Sequence, residues 1–404
     1  MTSDTQTTLA VHGGRPVRKE LLPYGRQSLT DADVAAVVEV LRSDWITTGP
    51  KVAEFEEAMA GFVGARHAVS FSSGTAALHA AVFAAGLEEG DEAITTPLTF
   101  CATANAVLYE DATPVFADIA CDSLTIDPHE VERRVTPRTK ALMPVDFGGH
   151  PADLDALLAI ADRQGLVVIE DAAHALGATY HGRSVGSISH MSVFSFHPVK
   201  HLTTGEGGLV TTDDSDLASR LRRFRSHGID RDAGERHAEG TWYYEMTALG
   251  YNYRLTDIAC ALGLAQLPRL QANLARRRAI AARYAEALTG TPNLTLPAVA
   301  AGVTHAWHLY PVRLAASIDR GDVFRALRAE GVGVNVHYIP VHLHPYYRNR
   351  FGYRGGEFPN AEAAYRRLIS LPMFHGMTDA DVDDVTTAVH KVMAYFGSNS
   401  RSGR

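Results

Sequence analysis

The sequence predicts an α/β protein: a large domain on a mostly parallel, seven-stranded sheet, followed by a smaller α+β C-terminal domain. Three observations predict it. Short apolar, β-rich runs alternate with helical periodicity from His67 to Thr212. One long helical pattern, Thr256 to Leu288, separates that stretch from the C-terminal third of the chain. The 404 residues also exceed what a single hydrophobic core usually supports.

Taken in order, residues 1–20 are polar and are expected to be loosely ordered, as is the Ser/Gly/Arg-rich end, 397–404. Thr30-Asp31-Ala32-Asp33 is a helix-start signal, with Val34, Val37, Val38 and Leu41 at helical spacing behind it. Val52 to Phe62 repeats the pattern. Strands are then expected at His67–Phe71, Glu92–Thr95, Pro114–Ala117, Ala141–Val145, Val167–Glu170, Ser192–Phe196 and Leu209–Thr212. Helices fall between them at Ala76–Ala85, Ala102–Tyr109 and Leu154–Gln164. Strands this apolar imply a sheet covered on both faces. The large domain is placed at residues 21–265. The linking helix and small domain are placed at 266–396, with strands at His308–Arg313 and near Val334–Tyr338, a helix at Arg320–Glu330 and a closing helix after Thr378.

A formal charge of -8 and the absence of any long basic run argue against nucleic acid and anionic membrane as partners. No stretch approaches the roughly 18 to 20 apolar residues of a membrane span. Three cysteines without metal-like spacing fit a reducing compartment, and Met1–Leu9 does not read as a signal peptide, so a cytoplasmic location is expected. The histidines lack an HExxH or similar pairing, so no metal is expected. Neither GxGxxG after the first strand nor GxxxxGK[ST] occurs, which leaves dinucleotide and ATP sites unsupported.

The chemistry gathers at strand ends, where such sheets bind ligands. Ser72-Ser73-Gly74-Thr75 would let backbone N–H groups approach an anion at a helix N-terminus, and would serve equally as a plain cap. Glu170-Asp171 ends an apolar strand, where a carboxylate is costly to bury without a partner. A cofactor ring nitrogen is one such partner; an ordinary cap or salt bridge is another. The segment Ser192 to Gly208, SVFSFHPVKHLTTGEGG, presents one lysine, Lys200, on a glycine-framed loop. A lysine in apolar surroundings loses proton affinity and becomes a usable amine, and lysine is the residue that forms imines with pyridoxal phosphate. Nothing local decides the role of Leu249-Gly250-Tyr251-Asn252-Tyr253-Arg254.

Together these segments resemble the DegT/DnrJ/EryC1/StrS sugar aminotransferase family, from about Leu22 to Tyr395. Within it the nearest likeness is to the PseC-type transaminases. The phrases that carry it are Asp44-Trp45-Ile46-Thr47-Thr48-Gly49, Thr96-Pro97-Leu98-Thr99-Phe100, FSFHPVKHLTTGEGG, Arg225-Ser226-His227-Gly228, Gly250-Tyr251-Asn252-Tyr253-Arg254, His337-Tyr338-Ile339-Pro340 and Ser370-Leu371-Pro372. The resemblance implies the aspartate-aminotransferase-like fold type I and pyridoxal 5'-phosphate as cofactor. It implies that Lys200 holds the cofactor as a Schiff base and that Asp171 pairs with its ring nitrogen. Gly74, Thr75 and Ser195 would hold the phosphate, with Asn252 reaching it from the partner subunit of a homodimer. Phe100 would stack on the ring and His174 would lie beside the phenolic oxygen. Tyr24, Thr47, His337 and Tyr338 match positions near the nucleotide-sugar.

The family resemblance further implies amino transfer from L-glutamate to UDP-2-acetamido-2,6-dideoxy-β-L-arabino-hexos-4-ulose. Another 3- or 4-keto nucleotide sugar, or scyllo-inosose, is the alternative substrate. A non-catalytic regulator and a pyridoxal-phosphate-dependent sugar dehydratase are alternatives of a different class. Family members that dehydrate carry histidine in place of Lys200, and a regulator would not need Lys200 or Asp171. His174 stands where many members have glutamine; PseC-type members carry histidine there.

Overall fold

The computed structural model describes residues 8–231 and 240–399. Its first helix, α1 (Asp31–Leu41), opens on a reciprocal cap in which the Thr30 N–H donates to Asp33 Oδ2 at 2.7 Å. Helix α2 (Pro50–Val63) follows, started by a proline whose missing N–H costs nothing there.

The large sheet contains β1 (His67–Phe71), β2 (Glu92–Thr95), β3 (Thr113–Phe116), β4 (Thr139–Met143), β5 (Val167–Asp171), β6 (Met191–Ser195) and β7 (Gly208–Thr212). Across the sheet their order is β1-β7-β6-β5-β4-β2-β3. All neighbours run parallel except β7, which is antiparallel to both β6 and β1. Strands β2, β6 and β7 are buried nearly throughout, as in a sheet covered on both faces. The alternation of side chains splits them between two cores. Ile169 and Val193 face α3 (Gly74–Ala84) and α4 (Ala102–Tyr109). Val168 faces α5 (Leu154–Gln164), and Phe194 faces α2.

The helical pattern expected to run from Thr256 to Leu288 divides into α6 (Asp257–Gln266) and α7 (Leu270–Leu288), joined by a short 3-10 turn at Leu267–Arg269. Pro268 explains the break, because its ring and missing N–H do not continue an α-helical ladder. Helix α7 bridges the two cores. Leu270 and Leu274 pack in the large domain, whereas Ile280, Tyr284 and Leu288 pack in the small one.

In the small domain β8 (Tyr310–Leu314) pairs antiparallel with β9 (Leu368–Leu371). Helices α8 (Arg320–Ala329) and α9 (Asp379–Asn399) cover it. The strand expected near Val334–Tyr338 is not one: only Asn335 bridges to Ser370, and β9 takes the place beside β8. The segment instead bends toward a cavity at the carboxyl ends of the parallel strands. Residues 8–20, expected to be loose, pack on the small domain through Leu9, which is 0% exposed. The reason is the buried carboxylate of Glu330, which accepts the N–H of Ala10 at 2.8 Å and of Val17 at 3.1 Å. Of the expected loose tail, Gly397–Asn399 finish α9 and residues 400–404 lie outside the described residues.

Candidate active site

The cavity at those strand ends has a volume of about 520 Å³. Ten residues singled out from the sequence line it: Tyr24, Gly74, Thr75, Phe100, Asp171, His174, Ser195, Lys200, His337 and Tyr338. Thr47 and Asn252 do not. Both are exposed on this chain and stand outside the cavity, Asn252 bridging to Ser226.

Lys200 is fixed by its loop. Leaving β6, Phe196 accepts the Thr204 N–H at 3.1 Å and donates its own N–H to Gly207 at 2.9 Å. Gln266 on α6 clamps Thr203 from both sides, at 3.2 Å and 2.9 Å. The Lys200 N–H donates to the His197 carbonyl at 2.9 Å. Burial lowers the Lys200 ammonium to about 8, with Asp171 pulling it back up. A neutral amine is therefore accessible near physiological pH. We expect uptake of pyridoxal phosphate by the cofactor-free protein to accelerate as pH rises through about 8, because only the neutral amine has a lone pair to attack a carbonyl. Stopped-flow absorbance on either side of that value checks it, and a flat profile would contradict it.

Asp171 ends β5 with both oxygens occupied. Oδ2 accepts the Thr103 hydroxyl at 2.7 Å, and Oδ1 accepts the Ala173 N–H at 3.2 Å. Burial raises its pKa, while Thr103, Ala173 and Lys200 oppose the rise. His174 receives the Gly148 N–H on Nδ1 at 3.3 Å, which leaves the ring proton on Nε2, 3.1 Å from Tyr338 Oη. Burial, and then Lys200, hold His174 well below its ordinary range, so it is a neutral donor. Tyr24 lies over His337 at 5.5 Å between ring centroids, and Phe100 is 56% exposed at the cavity mouth.

The start of α3 supplies the anion cradle. The Ser73 side chain caps it by accepting the Ala76 N–H at 3.1 Å. The N–H groups of Gly74 and Thr75, ahead of the helical ladder, find no acceptor among the described residues. Close approach requires the glycines. A Cβ on Gly74 would stand 3.0 Å from Ser195 Cβ, and one on Gly208 would stand 2.3 Å from the Ser73 carbonyl oxygen. Gly208→Ala is therefore expected to destabilise the fold by about 3 kcal/mol or more, since a backbone atom must move. Urea unfolding checks it, and a midpoint equal to wild type would show that the turn relaxes freely.

The sequence reading missed Thr103, His308 and Asn335. Thr99 and Thr103 sit one helical turn apart, with hydroxyls 2.8 Å apart, and that spacing was the available signal. His308 lines the cavity and packs on His174 at 4.3 Å between centroids. Nothing in its local pattern marks it. Outside the cavity, His342, Glu357 and Glu362 come together, but backbone N–H groups of Arg354, Gly355 and Gly356 donate to those carboxylates, so the group clamps a loop.

These residues fit pyridoxal phosphate. A helix N-terminus with free N–H groups suits the phosphate, a buried carboxylate suits a protonated ring nitrogen, and a neutral-leaning amine suits the carbonyl carbon. Known proteins point the same way. The model of the DegT/DnrJ/EryC1/StrS aminotransferase family matches residues 27–390. Spore coat polysaccharide biosynthesis protein SpsC of Bacillus subtilis is 47% identical over 381 residues, covering 93% of this chain and 98% of its own. The putative sugar aminotransferase Spr1654 from Streptococcus pneumoniae, in its PMP form, superposes with a TM-score of 0.88 at 31% identity, over 93% of this chain and 100% of its own. Helicobacter pylori PseC, an aminotransferase involved in the biosynthesis of pseudoaminic acid, gives 0.86 at 33% identity, over 94% and 100%. This chain belongs to the DegT/DnrJ/EryC1/StrS aminotransferase family, with the fold-type-I architecture and pyridoxal phosphate as its cofactor.

Proposed function

We propose that the protein transfers an amino group from L-glutamate to the C4 keto group of a nucleotide-linked deoxysugar. The substrate favoured is UDP-2-acetamido-2,6-dideoxy-β-L-arabino-hexos-4-ulose, giving UDP-4-amino-4,6-dideoxy-N-acetyl-β-L-altrosamine, the chemistry of the PseC-type enzymes. The observation that carries the reading is Lys200 facing Asp171 across one cavity, with a free helix N-terminus beside them.

When bound, the cofactor supplies an electron sink for the pair left behind as a proton leaves the carbon that bears nitrogen. The chain's own residues do the rest. Lys200, freed by the incoming amine, takes that proton on Nζ and returns it one position along. Asp171 keeps the ring nitrogen protonated, and Thr103 keeps Asp171 aimed at it. Gly74, Thr75 and Ser195 would hold the phosphate, Phe100 would lie against the ring, and His174, whose Nε2–H meets Tyr338 in this structure, would turn that donor to the phenolic oxygen. Tyr24, Thr47, His337 and Tyr338 receive the nucleotide-sugar. Asn252, outside its own chain's cavity, serves the cavity of a second copy, so the working unit is a homodimer in the cytoplasm.

SpsC favours a second reading, because its name ties it to a spore coat polysaccharide and it shares more identity with this chain than PseC does. On that reading the substrate is a different 3- or 4-keto nucleotide sugar, or scyllo-inosose. Incubation with L-glutamate and the UDP-linked 4-keto sugar, read by mass spectrometry, tests the proposal. Equal amounts of 2-oxoglutarate and amino-sugar nucleotide are expected. Glutamate half-reaction without sugar product would shift the reading to the other sugars, and no half-reaction at all would favour a regulator.

A further inference from the structure

Behind Asp171 the sheet buries two more carboxyl groups that the proposed reaction does not use. Asp146 and Glu170 are both 0% exposed. Each is tied to Asp171. The Asp146 N–H donates to the Asp171 carbonyl at 3.1 Å, and Glu170 precedes Asp171 on β5 with its side chain on the other face.

Two of the four carboxyl oxygens have donors. Asp146 Oδ1 accepts the Ala152 N–H at 2.9 Å, and Glu170 Oε2 accepts the Ser192 hydroxyl at 2.6 Å. The other two, Asp146 Oδ2 and Glu170 Oε1, are buried and make no hydrogen bond, although the equally buried and unpartnered Ser189 hydroxyl bears on Glu170. The two side chains lie within hydrogen-bonding reach of each other, and the further charged group bearing on both is Asp171, another carboxyl. Two facing carboxylates without a cation repel in a low-dielectric interior, and Asp146 Oδ2 would be left unsatisfied. A single proton between them removes both faults.

We infer that Asp146 and Glu170 share one proton at neutral pH, held on Asp146 Oδ2 and donated to Glu170 Oε1, and that this acid–carboxylate pair is a positioning device for Asp171. Glu170 is the better anion because it already accepts a hydroxyl donor. Burial first, and then Glu170, push the Asp146 carboxyl well above its ordinary range; Glu170 is raised by burial, with Ser192, Asp146 and Ser189 opposing. The pair braces the end of β5, so Asp171 remains the carboxylate that faces Lys200. Its role rests on Asp171 being the cofactor's partner.

The shared proton also makes stability depend on pH. The unfolded chain gives up the Asp146 proton near pH 3.8, whereas the folded chain keeps it well above. The folded state therefore loses stability as pH climbs from that value until the pair lets go. Asp146→Asn keeps a donor toward Glu170 and an acceptor for Ala152 while removing the titration, so it should flatten that slope.

Infrared spectroscopy of the cofactor-free protein at neutral pH is the direct test, and it is independent of the catalytic reading. A carboxylic-acid carbonyl band is expected in wild type and in Asp171→Asn, and its loss in both Asp146→Asn and Glu170→Gln. No band in wild type, or a band that survives both substitutions, overturns the inference; survival in Asp146→Asn alone overturns the assignment to Asp146. Cofactor affinity gives the second readout. Asp146→Ala should weaken it by about tenfold, by stripping Glu170 and Ala152 of partners, and Asp146→Asn should restore it. Equal losses in the two variants would overturn the positioning role.

Discussion

Lys200→Ala is expected to lower kcat by about 10,000-fold or more, with the protein still folded. The size comes from the number of tasks that one Nζ performs. On the proposed reading it would hold the cofactor, give way to the amino donor, and then carry a proton between two carbons. No other side chain in the cavity duplicates this. His174 is held as a neutral Nε2–H donor by Gly148, and burial with Lys200 nearby pushes His308 well below its ordinary range. Neither is placed to attack a carbonyl carbon. Fold is expected to survive because the loop is held by backbone and by Gln266, and the Lys200 side chain takes no hydrogen-bond acceptor among the described residues. Steady-state assay with glutamate and keto-sugar, alongside circular dichroism, checks both parts. A folded variant within about tenfold of wild type would remove Lys200 from the chemistry, since a general acid–base group alone is worth more than that.

How much of the fold and site is legible in the sequence depends on how local the cause is. Most strands are legible because both faces of the sheet are covered, so they stand out as short, largely buried β-rich segments between helical ones. The Lys200 loop is legible for a related reason. At its end Gly208 must pass against Ser73 and Gly74, and only glycine fits there. What escapes is whatever a distant partner decides. Leu9-Ala10-Val11 looks like a short apolar break in a polar stretch until Glu330, far along the chain, offers its oxygens to Ala10 and Val17. Leu368-Ile369-Ser370-Leu371 becomes a strand through its pairing with the distant Tyr310–Arg313, so the β-like Val334–Tyr338 is the segment that reads as a strand. Pro268 is a local signal, and the long helix is split where it sits. In the site, Lys200 and Asp171 stand at strand ends, where position alone is informative. His308 matters only through what it touches, His174, and no spacing in the chain reports that contact, whereas Thr103 has only its spacing from Thr99 to mark it.

Asp171→Asn should separate function from stability. Turnover is expected to fall by about 1,000-fold, because a neutral amide no longer holds a proton on the cofactor's ring nitrogen and the electron sink weakens accordingly. The fold should be unharmed or firmer. Thr103 can reverse its hydroxyl, accepting from the new amide while donating to Thr99 or to the Phe100 carbonyl, and the amide oxygen can keep the Ala173 N–H. The carboxylate meanwhile is strained in the cofactor-free fold, since burial raises its pKa. A carboxyl raised in the folded state costs stability as pH climbs above its ordinary value, so removing the charge relieves the cofactor-free protein at neutral pH. Calorimetry of the cofactor-free forms at neutral pH should give the variant a Tm equal to or above that of wild type, and adding pyridoxal phosphate should raise wild type much more than the variant. A lower Tm in the cofactor-free variant would mean that Asp171 serves the fold. A large loss of turnover with no loss of stability would mean that the chain keeps a costly buried charge for the sake of the ring nitrogen it faces.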